Sequence, residues 1–316
     1  MTPSTGAAVL GAALFILLVL LGLVLVLRTR QALANRKARD GARAKAEAWR
    51  AEQMNRPAVS QEEDAAFRTW FLRQARPAVL LQLSDPVQPG PNGSHIGGQV
   101  WMPEGEEWPR SATGQPLQFL AQLDFATLPP LPDFPTQGVL QFFTGPDDLY
   151  GANFDDVFDG AFRVIWRPDD AGAGVLRSSP EAEEDYSPLS KQLRQFSRSL
   201  VSRPDNMLPS PYGAEVEGYQ PLIVDRPGFD GIATWMTDHA TADRETHHVG
   251  GFLGTTQGDF RKGERYAALD RVLLQLWSER DGSIMWGDLG QGSFTISQAD
   301  LLARRFDRVA FHWDCT

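Results

Sequence analysis

The sequence lacks the signatures of the common hydrolytic enzymes. It has a single cysteine, Cys315, which excludes an internal disulfide and fits a reducing compartment. It contains no G-x-S-x-G segment, which positions the nucleophile of many serine hydrolases. It also contains no H-E-x-x-H segment, which many zinc enzymes use. The sequence therefore predicts no catalytic residues and no cofactor by motif.

Charge is absent from a long N-terminal run. Residues 7–27 are 21 residues without a charge, a proline or a side-chain amide. About 20 apolar residues in a helix span a bilayer, and a helix satisfies its own backbone there. A signal peptide would have basic residues before a shorter run, whereas here Arg28 and Arg30 follow it. We therefore expect residues 1–28 to contain one transmembrane helix, over about residues 7–27, rather than a signal peptide or a buried core helix.

The next segment, residues 29–57, is basic. From Arg28 to Arg56 there are nine Lys or Arg residues and three acidic ones. Ala, Arg, Lys and Glu favour a helix, so the segment is predicted to be a helical stalk, with a disordered linker as the alternative. Basic flanks stay in the cytoplasm and are attracted to anionic lipids. We expect a single-pass protein of the bacterial inner membrane with its N-terminus outside and its globular domain in the cytoplasm.

The remaining residues, 58–316, have the opposite charge. After Arg56 there are 37 acidic residues and 21 basic ones. Nucleic-acid binding depends largely on neutralising phosphates, so this acidic domain is not expected to bind nucleic acid.

Local patterns in this domain predict a mixed fold. Ser60 and Glu63 have the spacing of a capping box, which predicts a helix over 61–76. The apolar run 78–83 predicts a strand, and residues 188–203 predict a second helix. After residue 95 most apolar runs are short and separated by turn residues, as in strands. The predicted class is α+β, mainly antiparallel sheet.

A weak internal repeat is the most informative pattern. HIGG begins at His95 and HVGG begins at His248, 153 residues later. Gln122 and Gln275 recur at the same offset. Accidental recurrence is the alternative, but several identities in one order favour a duplication. The predicted halves are residues 95–167 and 248–313, with an insertion at 168–240, and a cleft between two such halves is a natural ligand site.

The same motifs carry a family resemblance. HIGGQVWMPEGEEWP, PLQFLAQLDFATLP, GVLQFF, HHVGGFLGTTQGD, LLQLWSE, WGDLGQGSFTI and DLLARRFDRVAFHWDC occur in the order found in the YwqG-like family, a bacterial domain of unknown function. The resemblance covers about residues 78–315 and implies an α+β fold with an internal repeat. It implies no established activity, substrate or cofactor. Some relatives resemble members of toxin–immunity neighbourhoods, which points weakly to protein binding, whereas the membrane anchor and the insertion depart from the family pattern.

Two sets of candidate residues follow. The candidate binding residues are His95, Gly97, Gly98, Gln122, His248, Gly250, Gly251, Gln275, Trp286 and Asp288. The candidate metal ligands are His95, His239, His248 and Asp288, since imidazoles and carboxylates can hold zinc or another divalent ion. Each type also has a structural explanation: a histidine can order its turn, glycines permit positive φ, and a buried amide needs partners.

The predicted function is a membrane-anchored, non-enzymatic module that binds a protein or peptide, conceivably of the immunity type. The alternative is a metal-dependent hydrolase that uses the histidines and aspartates near the repeat axis.

Overall fold

The computed structural model describes residues 56–168, 174–182, 186–216, 218–219 and 226–316, together with residues 28, 31, 35–37, 39–48 and 50–52. The predicted transmembrane residues 7–27 lie outside these ranges. None of the helices in the described ranges has both the length and the apolar character needed to cross a membrane. The described residues between 28 and 52 are helical and exposed.

The described residues fall into two compact units. The first lies within residues 1–59 and 225–229, and the second within residues 60–224 and 230–316. In the first unit the Val59 amide donates to the carbonyl of Pro227 at 2.9 Å. In the helical stretch of that unit, Arg43 and Glu47 form an exposed ion pair at 2.8 Å. Exposed pairs one helical turn apart stabilise a helix only slightly.

The second unit contains nearly all of the regular structure. Its helices are α1 (Gln61–Arg73), α2 (Lys191–Gln195), α3 (Phe229–His239, which begins in the first unit) and α4 (Gln298–Leu302), with short 3-10 turns at Ala214–Val216 and Phe306–Arg308. Its strands are β1 (Arg76–Pro86), β2 (His95–Ile96), β3 (Val100–Pro103), β4 (Gln118–Asp124), β5 (Val139–Thr144), β6 (Arg163–Arg167), β7 (Gly174–Arg177), β8 (Arg198–Met207), β9 (His247–Gly250), β10 (Arg271–Trp277), β11 (Gln291–Ile296) and β12 (Ala310–Asp314).

Ten of these strands form one sheet. Their order is β12-β11-β10-β9-β1-β8-β2-β4-β5-β6, and β3 and β7 form a separate two-stranded sheet. All the strand pairs in the described residues are antiparallel. The predicted α+β class with a mainly antiparallel sheet is therefore confirmed.

The side chains of β1 alternate between the two faces of the sheet. Val79, Leu81 and Leu83 belong to the main hydrophobic core. Ala78 and Leu80 point to the other face, where they pack with Met207, Ala242 and Phe252. Side chains alternate between the two faces of a strand, so burial of both sets shows that this part of the sheet is covered on both sides.

Helix α1 begins where the sequence predicts. The Ser60 hydroxyl accepts from the Glu63 amide at 3.2 Å, and the Ser60 amide donates to Glu63 Oε2 at 2.8 Å. Phe67 and Phe71 are buried on its inner face. The helix ends at Arg73, three residues before the predicted limit, because β1 begins at Arg76.

The predicted helix over 188–203 is wrong in its second half. Helix α2 covers only Lys191–Gln195, and β8 begins at Arg198. Strand β8 pairs with β1 from Met207 opposite Arg76 to Leu200 opposite Leu83. Ladder hydrogen bonds to β1 outweigh the weak helical preference of this polar segment.

Strand β8 lies within the predicted insertion, residues 168–240. The described part of segment 168–240 contains β7, α2, β8 and all of α3. Since β8 lies at the centre of the large sheet, this segment contributes a central strand, and its status as an insertion stays a prediction.

Candidate functional site

The first His-Gly-Gly turn is formed by HIGG, His95 to Gly98, at the end of β2. His95 pairs with Gln122 on β4 and with Ser199 on β8. Its imidazole is buried, and its Nε2 lies 3.2 Å from the carbonyl oxygen of Gln99. Burial lowers the pKa of His95, although the carbonyls of Gln99 and Gly93 act in the opposite direction. The ring is therefore neutral at pH 7 and ties β2 to the turn that follows it.

The second His-Gly-Gly turn is formed by HVGG, His248 to Gly251, and has a similar arrangement. His248 on β9 pairs with Gln275 on β10 and with Leu80 on β1. Its Nε2 lies 2.9 Å from the carbonyl of Phe252, and its Nδ1 lies 2.9 Å from that of Thr246. Burial lowers the pKa of His248. A neutral imidazole has one N–H, so it donates to one of these two carbonyls and orders the loop, as the structural explanation predicts.

The four candidate metal ligands do not converge. In the sheet order β9 and β2 are separated by β1 and β8, so three strand spacings place His248 and His95 about 14 Å apart. His239 is exposed and stacks on Trp235, and Asp288 is exposed in the loop before β11. Within the described ranges, no three His, Cys, Asp or Glu side chains are placed to hold a metal ion. The described part of the chain therefore gives no support to the metal-dependent alternative.

The two buried glutamines bond within their own surroundings. The Gln122 side-chain amide donates to the carbonyl of Gly93 at 3.0 Å, and its oxygen accepts from Gln141 at 2.9 Å. The Gln275 amide donates to Gly254 O at 2.8 Å and accepts from Gly254 N at 3.0 Å. A buried amide must find hydrogen-bond partners. Both glutamines find them within the fold, because each one hydrogen-bonds its strand to a neighbouring segment.

Trp286 and Asp288 have different environments. Trp286 is fully buried and meets Tyr150 edge to face with ring centroids 5.5 Å apart. The Asp288 side chain is exposed, and its backbone carbonyl accepts from the Thr316 amide at 3.2 Å. The structure therefore places Trp286 in the core rather than on a binding surface.

The glycines of the first turn permit a close contact with α2. Gly97 and Gly98 have φ values of 65° and 68°. A Cβ at Gly97 would clash with the carbonyl oxygen of Leu193, and one at Gly98 would clash with Ser197. The Gly98 amide donates to Leu193 O at 2.9 Å, and the Ser197 hydroxyl donates to Gly97 O at 3.0 Å. These contacts fix α2 against the turn.

The space beside the second turn is filled by side chains. Gly250 and Gly251 also have positive φ, at 73° and 64°. A Cβ at Gly251 would lie 2.5 Å from the Met207 sulfur. Met207 belongs to the buried cluster that includes Phe252. Hydrophobic side chains therefore occupy the space beside this turn.

Beside the first turn lies an open trough that the sequence did not predict. Its volume is about 630 Å³, within the usual range of ligand pockets. It is lined by the turn after β2, the start of β4, the segment after β7 and one side of α2. These residues are Gly98, Gln99, Gln118, Phe119, Ser178, Ser179, Pro180, Glu181, Ala182, Lys191, Arg194 and Gln195. Of the candidate binding residues, Gly98 alone is among them.

These features define an α+β protein built on a large antiparallel sheet, with an open trough beside the first of two His-Gly-Gly turns. The chain belongs to the family described as "Domain of unknown function (DUF1963)", whose profile matches residues 94–315. The match is consistent with the resemblance to the YwqG-like family but does not itself establish that name. A search of curated proteins finds no match to the chain.

Proposed function

We propose that the chain is a membrane-anchored, non-enzymatic module that binds a protein or peptide in the trough. The trough itself carries this proposal. It is open to solvent, its walls come from four separate segments, and hydrogen bonds to Gly97 and Gly98 hold one wall in place. A preformed concave surface with a few placed polar groups is typical of a binding site.

The chemistry of the lining favours binding over catalysis. General acid–base or nucleophilic catalysis requires a base within hydrogen-bond reach of the reacting group. The described residues that line the trough include no histidine, cysteine or aspartate, and Glu181 is their single carboxylate. Amides, hydroxyls and two basic side chains make up most of the polar lining, which suits recognition.

We also propose that the two halves of the sheet are copies of one unit. Three features support this. In each half a ring nitrogen lies against the carbonyl four residues later, both glycine pairs have positive φ, and the strand pairing shifts register at Phe119/Ala121 and at Val272/Leu274. A crystal structure in which the strands around His95 and His248 fail to superpose would contradict the duplication. In this proposal the two turns diverged, since only the first borders the trough.

The membrane anchor and its orientation are part of the same proposal. They depend on the uncharged run 7–27 and on the basic excess that follows it. We expect alkaline phosphatase fused after Thr316 to be inactive in a bacterial host, because this enzyme needs an oxidising compartment. A green fluorescent protein fused at the same position should be fluorescent. An active phosphatase fusion would place the domain outside and reverse the topology.

Site-specific photo-crosslinking tests the binding function. Gln195 is exposed and lines the trough, so benzoylphenylalanine at this position in the full-length chain should crosslink to one recurring polypeptide in native membranes. Glu264, which is exposed in the loop before β10, is the matched control and should give no such adduct. Mass spectrometry of the adduct band identifies the bound segment. Identical adduct patterns at both positions, or none at Gln195, would reject the trough as the binding site.

A further inference from the structure

We propose that a pocket at β12, the edge strand of the large sheet, binds a free quaternary ammonium molecule of about the size of choline. Its lining includes Phe154, Gln257, Gly258, His312, Trp313 and Asp314, and its volume is about 360 Å³, within the usual range of ligand pockets. The pocket and the trough share no lining residue. The inference therefore goes beyond the proposed function and does not depend on it.

Three aromatic rings line this pocket. The Phe154 ring centroid lies 5.4 Å from that of His312 at an interplanar angle of 76°, and 5.7 Å from that of Trp313 at 59°. Rings at such angles form a corner rather than a face-to-face stack. Trp313 is held in place because its Nε1 donates to the carbonyl of Leu149 at 2.8 Å. A cation within about 6 Å of a ring centroid is attracted by the ring face, and recognition of quaternary ammonium groups commonly uses several such rings.

His312 contributes its ring rather than a hydrogen bond. Its Nδ1 is buried, and no described residue binds it, whereas each of the other four histidines bonds a carbonyl or a carboxylate. The ring stacks on Phe260, with centroids 4.5 Å apart. Burial lowers the pKa of His312, although the charges of Asp314 and Asp259 act in the opposite direction. The imidazole is therefore neutral at pH 7 and does not repel a cation.

Asp314 supplies a fixed negative charge. It is 6% exposed, and its Oδ2 accepts from the amides of Thr256 and Gln257 at 3.0 and 3.1 Å. Its Oδ1 accepts from the Gln291 side-chain amide at 2.9 Å. All three donors are uncharged, so they fix the carboxylate without neutralising it. Since charges interact more strongly away from water, this carboxylate attracts a cation in the pocket.

Basic side chains do not compete for this carboxylate. Among the described residues Asp314 forms no ion pair, and the described lining contains no Lys or Arg. Arg265 reaches the carbonyl of Asp155 beside Phe154, but its guanidinium is paired with Asp156 at 3.1 Å. Every Lys and Arg of residues 58–316 lies within the described ranges. The remaining residues of the domain therefore cannot add a positive charge.

The lining also selects the kind of cation. A hard metal ion needs about six or more oxygen ligands, and within the described ranges no three His, Cys, Asp or Glu side chains are placed to hold a metal. A primary ammonium has three N–H donors that need acceptors, whereas much of this lining is aromatic. A quaternary ammonium needs no acceptors, because its methyl groups pack directly on ring faces.

The test compares choline with dimethylbutanol, the neutral isostere in which carbon replaces the charged nitrogen. Saturation-transfer NMR on the methyl protons gives the Kd of each for the full-length chain in maltoside detergent, which has no ammonium group. Choline should bind at least about fivefold more tightly than the alcohol. Phe154→Ala should weaken choline binding by roughly 3- to 30-fold, the change that corresponds to one cation–π contact.

Phe158→Ala is the matched control. Phe158 is in the same loop and is 46% exposed, against 47% for Phe154, but it does not line the pocket. Its replacement should leave the affinity for choline unchanged. His312→Phe keeps a neutral ring and should retain binding, whereas His312→Leu removes the ring and should weaken binding.

Three outcomes would overturn the inference. Equal affinity for choline and the alcohol would show that the pocket selects an apolar shape rather than a charge. Unchanged choline binding in Phe154→Ala, or an equal loss in Phe158→Ala, would place the ligand elsewhere. Phosphatidylcholine vesicles carry the same trimethylammonium group and should not compete with free choline, so competition by them would overturn the assignment to a free molecule.

Discussion

Replacing Arg261 by alanine should lower the free energy of unfolding by about 3–5 kcal/mol, the usual loss when one partner of a buried ion pair is removed. Arg261 is 3% exposed. Its Nη2 lies 2.6 Å from Asp259 Oδ2 and 3.0 Å from Glu215 Oε1. Both carboxylates are themselves largely shielded from water. Without the guanidinium Asp259 would lose its ion pair, and Glu215 would keep only its longer contact with Arg76, at 3.8 Å.

The size of this loss should depend on pH. Burial alone would raise the pKa of Asp259, but the hydrogen bonds and charge of Arg261 lower it below its usual value. Its contribution to stability is therefore complete above the unfolded pKa of about 3.9 and is lost as the pH falls through the lower folded value. In the variant, burial without Arg261 raises that pKa, so acidification should shrink the difference between variant and wild type.

Urea unfolding of the full-length chain in mild detergent, followed by tryptophan fluorescence, measures both effects. Arg265→Ala is the matched control, because Arg265 is 63% exposed at its side chain and its ion pair with Asp156 is 3.1 Å long. Exposed pairs contribute at most about 1 kcal/mol. Equal losses for the two variants at pH 7 would show that the buried cluster does not stabilise the fold.

Local signals predicted the parts of the fold that short segments can specify. The capping box of α1 needs only Ser60 and Glu63, and it forms as expected. The run 78–83 has enough apolar residues to be recognised as a strand without its neighbours. Segment 198–207 has few apolar residues, and its extended structure depends on pairing with β1 more than 100 residues earlier. A contact at that separation leaves no local pattern to predict it from.

The candidate site also has parts that the sequence predicts and parts that it does not. The two His-Gly-Gly turns can be recognised from the sequence because each is a continuous segment of four residues, HIGG or HVGG. In the structure each histidine ring contacts a carbonyl of the loop that follows it. His95 and His248 do not meet as ligands of one metal ion, because β1 and β8 lie between their strands. The trough was missed because Ser178, Ser179 and Lys191 line it together with β4 only through the tertiary fold. The basic pair on α2 was the one signal available, and two such residues on a helix are usually only solvent-exposed.

Replacing Gly97 by alanine should cause the second large effect, a loss of about 2–5 kcal/mol together with loss of binding in the trough. Two terms add. Positive φ costs an alanine about 1–2 kcal/mol, and forcing an extra methyl into a packed site costs about 1–3 kcal/mol. The new Cβ would clash with the carbonyl of Leu193, which belongs to α2, so α2 must move away from the turn. That movement would displace Lys191 and Arg194 from the trough.

Gly105→Ala is the control that measures the cost of positive φ alone. Gly105 has a φ of 81° with nothing within 4 Å of a Cβ, so its replacement should cost only the conformational strain of about 1–2 kcal/mol and leave the crosslink from position 195 unchanged. The two variants are compared by urea unfolding and by photo-crosslinking from position 195. If Gly97→Ala is no less stable than Gly105→Ala, the turn tolerates a side chain and α2 is not held by close contact. If it is less stable but gives the same crosslink as wild type, the position of α2 does not control recognition, and the trough must bind through β4 and the segment after β7 alone.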